Sequence, residues 1–127
     1  MKIFPQNNAK FFDSPEGRKA WIFGFPEYEF QYDEQQPHSI LKWHRHVQIW
    51  ETIYIIEGEL IARWKKDGTE KEQIVKAGDL IEPGFGSHTF ENRSESVAKF
   101  IAVKFVLSGE DKKEIIKKDK VYDAYSY

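Results

Sequence analysis

Residues 51–75, ETIYIIEGELIARWKKDGTEKEQIV, hold the strongest strand pattern in the chain. A run rich in β-branched side chains ends at Gly58, and the strand pattern resumes over residues 59–65. The Asp-Gly pair at 67–68 predicts a tight hairpin turn, because both residue types tolerate the positive φ that such a turn requires. The stretch therefore predicts consecutive antiparallel strands.

Similar patterns lie on both sides of this stretch. They alternate apolar and polar residues or are rich in aromatic side chains, which favours half-buried strands. Together with residues 70–75, they cover 19–25, 27–32, 80–82, 87–91 and 99–107. Short strands separated by turns about every ten residues are typical of an all-β sandwich or barrel.

The chain length of 127 residues is sufficient for one hydrophobic core but not for a second independent domain. We therefore predict a single domain over residues 1–127. Its parts are an N-terminal arm (1–18), the barrel (19–107), and a C-terminal helix and tail (108–127).

Helix signals are confined to the end of the chain. Ser108 is a suitable N-cap for a short helix over residues 110–118. We expect Ile115 and Ile116 on that helix to dock on the sheet.

Composition excludes several classes of function. The formal charge of −2 argues against a nucleic-acid partner, and no apolar run approaches the ~18 residues of a membrane span. The absence of cysteine excludes disulfides, thiolate catalysis and cysteine-based zinc sites. The first residues carry no apolar segment of the signal-peptide type, so we expect a cytoplasmic protein.

Three of the four histidines fall into a pattern with one carboxylate. His44 and His46 are two residues apart, a spacing that places both side chains on one face of a strand. Glu51 begins the next strand pattern, and His88 lies on a later one. Three imidazoles and one carboxylate suit Fe, Mn, Ni, Co, Cu or Zn.

These residues belong to two spaced motifs. The motifs read His44-x-His46-x₄-Glu51-x₆-Gly58 and Gly78…Pro83…Gly86-x-His88-x₃-Asn92. They resemble the two motifs of the cupin superfamily, whose fold is a small all-β, double-stranded β-helix or jelly-roll barrel. The resemblance implies that His44, His46, Glu51 and His88 bind one divalent transition metal.

The motifs depart from the cupin pattern at two points. The glycine expected six residues before the first histidine is His38 here, and only four residues separate Gly78 from Pro83 instead of five. Neither departure removes a ligand. His38 would reach the barrel mouth on an unbroken strand, but a partly exposed histidine after Pro37 is the favoured interpretation.

Six side chains near the ligands, five of them apolar, are candidates for lining the pocket. They are Gln48, Trp50, Ile53, Ile55, Phe85 and Phe90. Gln48, Trp50 and Phe85 would line the entrance, although loop packing explains the first two equally well. Ile53, Ile55 and Phe90 share parity with the ligands, so they would form an apolar wall, and core packing is their main role.

Two lysines and one glutamate are weaker candidates. Lys42 and Lys104 have a parity that would turn them inward toward an anionic substrate, although a strand lysine more often faces solvent. Glu82 precedes a proline at a strand end, where a general base is plausible. The sequence assigns no catalytic residue.

Two classes of function remain open. One is a metal-dependent enzyme, such as a dioxygenase, decarboxylase, isomerase or epimerase, acting on a small hydroxy or keto acid, enediol or sugar derivative. The other is a binding or sensing module that uses the same pocket without turnover. The complete ligand set favours the enzyme, because the metal polarises oxygen groups.

We also expect a homodimer. Trp43 has opposite parity to His44 and His46, so it points outward together with Val47. An exposed tryptophan on a strand favours self-association unless another segment covers it. The arm residues Phe11 and Phe12 would provide that cover in a monomer.

Overall fold

Ten β-strands in two antiparallel sheets build the computed structural model, whose described part is residues 1–124. The strands are β1 (Lys10–Asp13), β2 (Arg18–Gly24), β3 (Tyr28–Gln35), β4 (Ser39–Ile40), β5 (Ile49–Glu57), β6 (Glu59–Lys66), β7 (Thr69–Lys76), β8 (Leu80–Ile81), β9 (His88–Asn92) and β10 (Ala98–Val106). A 3₁₀ turn at Gln6–Asn8 precedes them, and one short helix, α1 (Lys113–Lys118), follows. The predicted all-β fold with a C-terminal helix is confirmed.

The two sheets have different strand orders. Sheet A runs β1-β2-β3-β10-β5-β8, and sheet B runs β4-β9-β6-β7. The β6–β7 hairpin turns at Asp67 and Gly68, whose φ angles are 53° and 75°. This is the turn predicted from the Asp-Gly pair.

Two strands lie where the sequence pattern gave none. β1 falls inside the segment predicted as an N-terminal arm, and it pairs with β2 so that Phe11 lies opposite Trp21. β4 has only two residues and pairs with β9. The N-terminal segment therefore continues sheet A.

Alternation along each strand separates an inner face from an outer face. On β5, Ile53 and Ile55 point inward and are buried, whereas Tyr54 between them is exposed. The inner faces of both sheets together form the hydrophobic core. Its buried members are Leu41, Ile53, Ile55, Leu60, Ala62, Val75, Phe90, Ala98, Phe100 and Ala102.

Polar side chains on the inner face of β3 link the two sheets. Gln35 is fully buried, and its Nε2 donates to the backbone oxygen of Phe90 in sheet B at 2.9 Å. Asn92 in turn donates through Nδ2 to the oxygens of Gln35, at 3.0 Å, and Ser96, at 2.8 Å. These bonds satisfy buried backbone acceptors and tie β9 to β3.

The C-terminal helix is shorter than predicted, and the prediction that it docks on the sheet is wrong. Helix α1 spans only Lys113–Lys118, and Ile115 and Ile116 are 69 % and 77 % exposed. Ser108 Oγ accepts the N–H of the residue two positions on, while Asp111 supplies the oxygen next to the helix start. Such a short helix has no continuous apolar face to bury. Residues 125–127 of the predicted tail lie outside the described part.

Among residues 1–124, no helix combines the length and the apolar character that a membrane-crossing helix needs.

We predict that Ile55→Ala lowers the free energy of unfolding by about 2–5 kcal/mol, because the side chain is completely buried and its removal leaves a cavity. Ile74→Ala is the matched control, since Ile74 lies on the exposed face of β7 and its loss should cost less than about 1 kcal/mol. Urea unfolding followed by circular dichroism measures both. Equal losses for the two variants would contradict this assignment of the inner face.

Candidate metal centre

A reciprocal pair of backbone hydrogen bonds brings His44 to His88. The N–H of His44 donates to the carbonyl of His88 at 3.1 Å, and the N–H of His88 donates to the carbonyl of His44 at 2.9 Å. The two residues form an isolated antiparallel bridge beyond the end of β4. Their imidazole centroids are consequently only 4.5 Å apart.

The predicted strand through His44 and His46 is wrong. Ile40 pairs with Glu91, but His44 pairs with His88, so the segment between them contains one residue more than its partner. A bulge of this kind reverses the inward and outward alternation. It allows Leu41 to lie in the core while His44, three residues later, faces the site.

The three imidazoles nevertheless converge. His44, His46 and His88 each offer a ring nitrogen, and these three atoms all lie within 4.8 Å of one another. The rings of His44 and His46 meet edge to face, with centroids 5.4 Å apart. The predicted histidine cluster is therefore present in the fold.

Backbone carbonyls fix the orientation of two of the rings. Nδ1 of His44 lies 2.9 Å from the oxygen of Lys42, and Nδ1 of His88 lies 2.9 Å from the oxygen of Gly86. A carbonyl only accepts, so each Nδ1 carries the hydrogen and each Nε2 presents a lone pair. This arrangement is typical of histidines that bind a metal through Nε2.

Glu51 lies beside these nitrogens. Its carboxylate is buried, and Oε1 is 3.6 Å from Nε2 of His46 and 3.9 Å from Nε2 of His88. Atoms bound to one first-row ion at about 2.1 Å are separated by between about 3 and 4.2 Å. Both measured distances fall in that interval.

Burial controls the charge of the imidazoles. It lowers the pKa of His88, an effect that the carbonyl of Gly86 partly opposes. Burial also lowers the pKa of His46, where the Glu51 carboxylate opposes the shift. Both rings are therefore held in the neutral form that binds metals.

Two cavities meet the histidine cluster from different sides. One, of about 430 Å³, is lined by His88 and Phe90 together with the edges of β7 and β8. The other, of about 330 Å³, is lined by His44 and His46 and lies beside β1. Both volumes are in the range of small-molecule sites.

The predicted pocket residues divide into three groups. Phe90 lines the larger cavity, and Ile53 and Ile55 lie in the core. Trp50 and Phe85 pack against each other with ring centroids 5.4 Å apart. Gln48 is exposed in the segment before β5.

The weaker candidates also have clear positions. Lys42 and Lys104 both line the smaller cavity, where Lys42 is 3.5 Å from Glu16 and Lys104 is 3.5 Å from Glu29. The Glu82 carboxylate accepts the indole N–H of Trp50, which leaves it engaged in a structural contact.

Comparison with known protein families gives one match. The family model described as "Cupin domain" matches residues 31–104, which is more than half of the chain. The chain belongs to the cupin family.

Solved cupin-like structures share the fold at low sequence identity. A predicted oxalate decarboxylase from Thermotoga maritima is 20 % identical with a TM-score of 0.70, over 84 % of this chain and 100 % of that one. HppE with Fe(II) and an alternative substrate is 17 % identical with a TM-score of 0.69, over 83 % of this chain and 60 % of that one. A CENP-C domain of Drosophila melanogaster is 14 % identical with a TM-score of 0.66, over 77 % of this chain and 73 % of that one. No curated protein matches the chain significantly.

Two positions of the cupin motifs, Gly58 and His38, have a backbone with positive φ. Gly58 has a φ of 87°, and a Cβ there would lie 3.1 Å from the backbone of Ala98, so a side chain would be strained and tightly packed. His38, at the position where the motif has glycine, adopts a φ of 53°, which retains the left-handed backbone. Its Nε2 is 2.8 Å from the Glu95 carboxylate, at an exposed position.

Sequence reasoning missed two charged residues near this cupin site. Arg18 lines the smaller cavity, and Asp33 is buried on the inner face of β3, where burial raises its pKa to about 6. Arg18 lies two residues before the buried Ala20 on β2, so strand alternation places both side chains on the inner face. It was overlooked because the barrel was predicted to start one residue later.

We predict that the metal-free cupin shows His44 and His88 in the Nδ1–H tautomer. His46 and His88 should become protonated below the ordinary histidine pKa of about 6.5, because burial disfavours the imidazolium. Between the lowered pKa of each histidine in the folded chain and its ordinary pKa in the unfolded chain, the unfolded chain binds more protons. These groups therefore make stability rise with pH in that interval. Long-range ¹H–¹⁵N NMR of chelator-treated protein measures both properties. An Nε2–H tautomer for His88 would contradict the assignment.

Proposed function

We propose that His44, His46, Glu51 and His88 bind one divalent transition metal, and that the protein is an enzyme acting on a small oxygen-rich molecule. The observation that carries this proposal is the convergence of three imidazoles, with the buried Glu51 carboxylate beside two of them. Within the described chain, Nε2 of His46 and Nε2 of His88 are buried without a hydrogen-bond partner. Buried polar atoms without a partner are costly, and a bound cation would satisfy them.

The chemistry of these donors suits Fe, Mn, Ni, Co, Cu or Zn. Four protein donors leave about two positions of an octahedron free, and a metal held there would polarise oxygen groups of the substrate as a Lewis acid. The chain contributes neutral, fixed imidazoles and two adjoining cavities of about 330 and 430 Å³. This arrangement favours a hydroxy acid, keto acid, enediol or sugar derivative as substrate.

A binding or sensing module that uses the same pocket is the second candidate. The engagement of Glu82 with Trp50 favours it, because that carboxylate is then less available as a base. Turnover of a small molecule by the metal-loaded protein would support the enzyme, and binding without turnover would support the module. Residence in the cytoplasm is a further prediction of the sequence.

We predict that the protein takes up one Fe, Mn, Ni, Co, Cu or Zn ion per chain, measured by elemental analysis and Co(II) titration. His46→Ala should weaken metal affinity by at least about 100-fold. The fold should remain intact, because His46 is not part of the hydrophobic core. His38→Ala is the matched control, because His38 pairs with Glu95 outside the cluster. No uptake of any of these ions by the wild-type protein would refute the metal site.

We also propose that the chain forms a homodimer, and that the surface is the outer face of sheet A. Trp43 is half-buried, with the Lys65 ammonium 4.9 Å above its ring, so the segment around it offers a smaller apolar surface than was expected. The outer face of sheet A carries partly exposed apolar side chains from five strands. They are Phe11, Trp21, Phe23, Tyr28, Phe30, Tyr32, Tyr54, Ile101, Val103 and Phe105.

The size of this face favours a second copy of the chain as its partner. With strands about 4.8 Å apart and a rise of about 3.3 Å per residue, each residue covers about 16 Å² of the sheet. The five strands, each four to nine residues long, therefore give a face of roughly 550 Å². Two such faces together would bury about 1,100 Å², just above the roughly 1,000 Å² that a biological interface should reach.

We predict a particle of twice the 15.0-kDa chain mass in light scattering at micromolar concentration. Ile101→Glu with Val103→Glu should return it to the chain mass, because two charges would then face the partner. Ile74→Glu on β7 should leave the dimer unchanged. A wild-type particle of the chain mass would reject this interface.

A further inference from the structure

The smaller cavity beside His44 and His46 has a positive wall. Three cations line it, Arg18, Lys42 and Lys104, against the single carboxylate of Glu16. The chain as a whole has a formal charge of −2. Positive charge is therefore concentrated at this opening, and a cavity with low-dielectric walls attracts anions.

Arg18 is the cation with free hydrogen-bonding capacity. In the described chain its Nε is buried and has no hydrogen-bond partner. The nearby Asp33 carboxylate attracts Arg18 electrostatically, but its two oxygens accept the Gln31 amide at 2.8 and 2.9 Å. A buried guanidinium N–H without an acceptor is costly, and an anionic oxygen is the partner that suits it.

A tight turn fixes the backbone of Arg18. The N–H of Ser14 donates to the carbonyl of Arg18 at 2.8 Å, and Ser14 Oγ accepts the N–H of Arg18 at 3.3 Å. Gly17, with a φ of 99°, closes the turn, and a Cβ there would meet Ser39 at 3.1 Å. The guanidinium therefore extends from a defined position beside the cavity.

The two lysines support the same polarity. Lys104 lies on the inner face of β10 directly opposite Glu51; its side chain is 23 % exposed, and its Nζ is 3.5 Å from the Glu29 carboxylate. Lys42 lies at the rim, where it pairs with Glu16 and is mostly exposed. An anion in this cavity would meet a partly buried cation, Lys104, and a mostly exposed one, Lys42.

The larger cavity lacks this character. Its cation, Arg63, already contacts three carboxylates, those of Glu70, Glu72 and Glu91. Its lining also includes two further acidic residues, Asp79 and Glu82. The two openings to the histidine cluster thus differ in charge.

We infer that the substrate is a small anion, whose carboxylate or phosphate group binds Arg18 in the smaller cavity while its remaining oxygen groups face His44 and His46. This inference rests on the proposed function, because it names the substrate class of the same site. The planar guanidinium suits bidentate contact with either anionic group, and Lys104 adds charge. A neutral polyol of similar size would leave the Arg18 Nε without an acceptor.

The test compares three probes with a three-carbon skeleton: lactate, glycerol 3-phosphate and neutral 1,2-propanediol. Each is titrated into ¹⁵N-labelled protein, both metal-free and loaded with Zn(II), and dissociation constants are obtained from amide shifts. We expect lactate or glycerol 3-phosphate to bind at least about tenfold more tightly than the diol, with shifts around residues 14–18 and 42–46. Whichever anion binds more tightly identifies the anionic group.

Arg18→Gln should weaken binding of that anion at least about tenfold without changing the weak binding of the diol. Arg18→Lys should restore part of the affinity, which a purely structural role of Arg18 would not predict. Arg93→Gln is the matched control, since Arg93 pairs with Glu91 at an exposed position. Thermal melts establish that each variant folds.

The inference is overturned if neither anion binds more tightly than the diol, or if Arg18→Gln binds the anion as well as the wild type. The titrations of the metal-free protein are sufficient to test whether Arg18 binds an anion. If the protein fails to take up any metal, the proposed function is refuted, while the metal-free titrations still show whether Arg18 binds an anion.

Discussion

The reciprocal hydrogen bonds between the backbones of His44 and His88 are the contact on which the site depends. They join a segment that follows β4 to the start of β9, and the two residues are separated by just over a third of the chain. Thr89 Oγ1 donates to the carbonyl of Leu41 at 2.6 Å and supports the bulge between Ile40 and His44. Without this pairing, His44 and His46 would belong to a surface loop, and the ordering entropy of that loop would oppose their convergence.

The same strands carry both the site and the core. On β5, Glu51 is followed on the same face by Ile53 and Ile55, so a buried carboxylate and buried aliphatic side chains alternate with outward residues. Desolvation of Glu51 and His88 opposes folding, and burial of the aliphatic groups offsets it. The core lies along the barrel and the histidines lie at one end. A bound metal would therefore stabilise that end, whereas a small zinc domain depends on its metal for the whole fold.

Side-chain alternation made most of the sheet predictable. The residue pattern of 51–65 located β5 and β6 within two residues, and the Asp-Gly pair located their hairpin partner. The bulge before His44 was not predictable, because one extra residue changes the register without any distinctive residue type. Whether Ile115 and Ile116 dock was not predictable either, because two adjacent apolar residues in a short helix do not indicate whether a surface is within reach. The convergence of His44, His46 and His88 was predictable only from motif spacing.

The region that matches the cupin family and the region that surrounds the smaller cavity are not the same. The match begins at residue 31, so it includes the three histidines and Glu51 but excludes β1, β2 and the start of β3. Phe12, Ser14, Glu16 and Arg18 line the cavity from that excluded segment. Similar folds at 14–20 % identity thus say little about what this opening binds. On the proposed function, the shared barrel positions the metal, and the N-terminal hairpin that carries Arg18 selects the charge of the substrate.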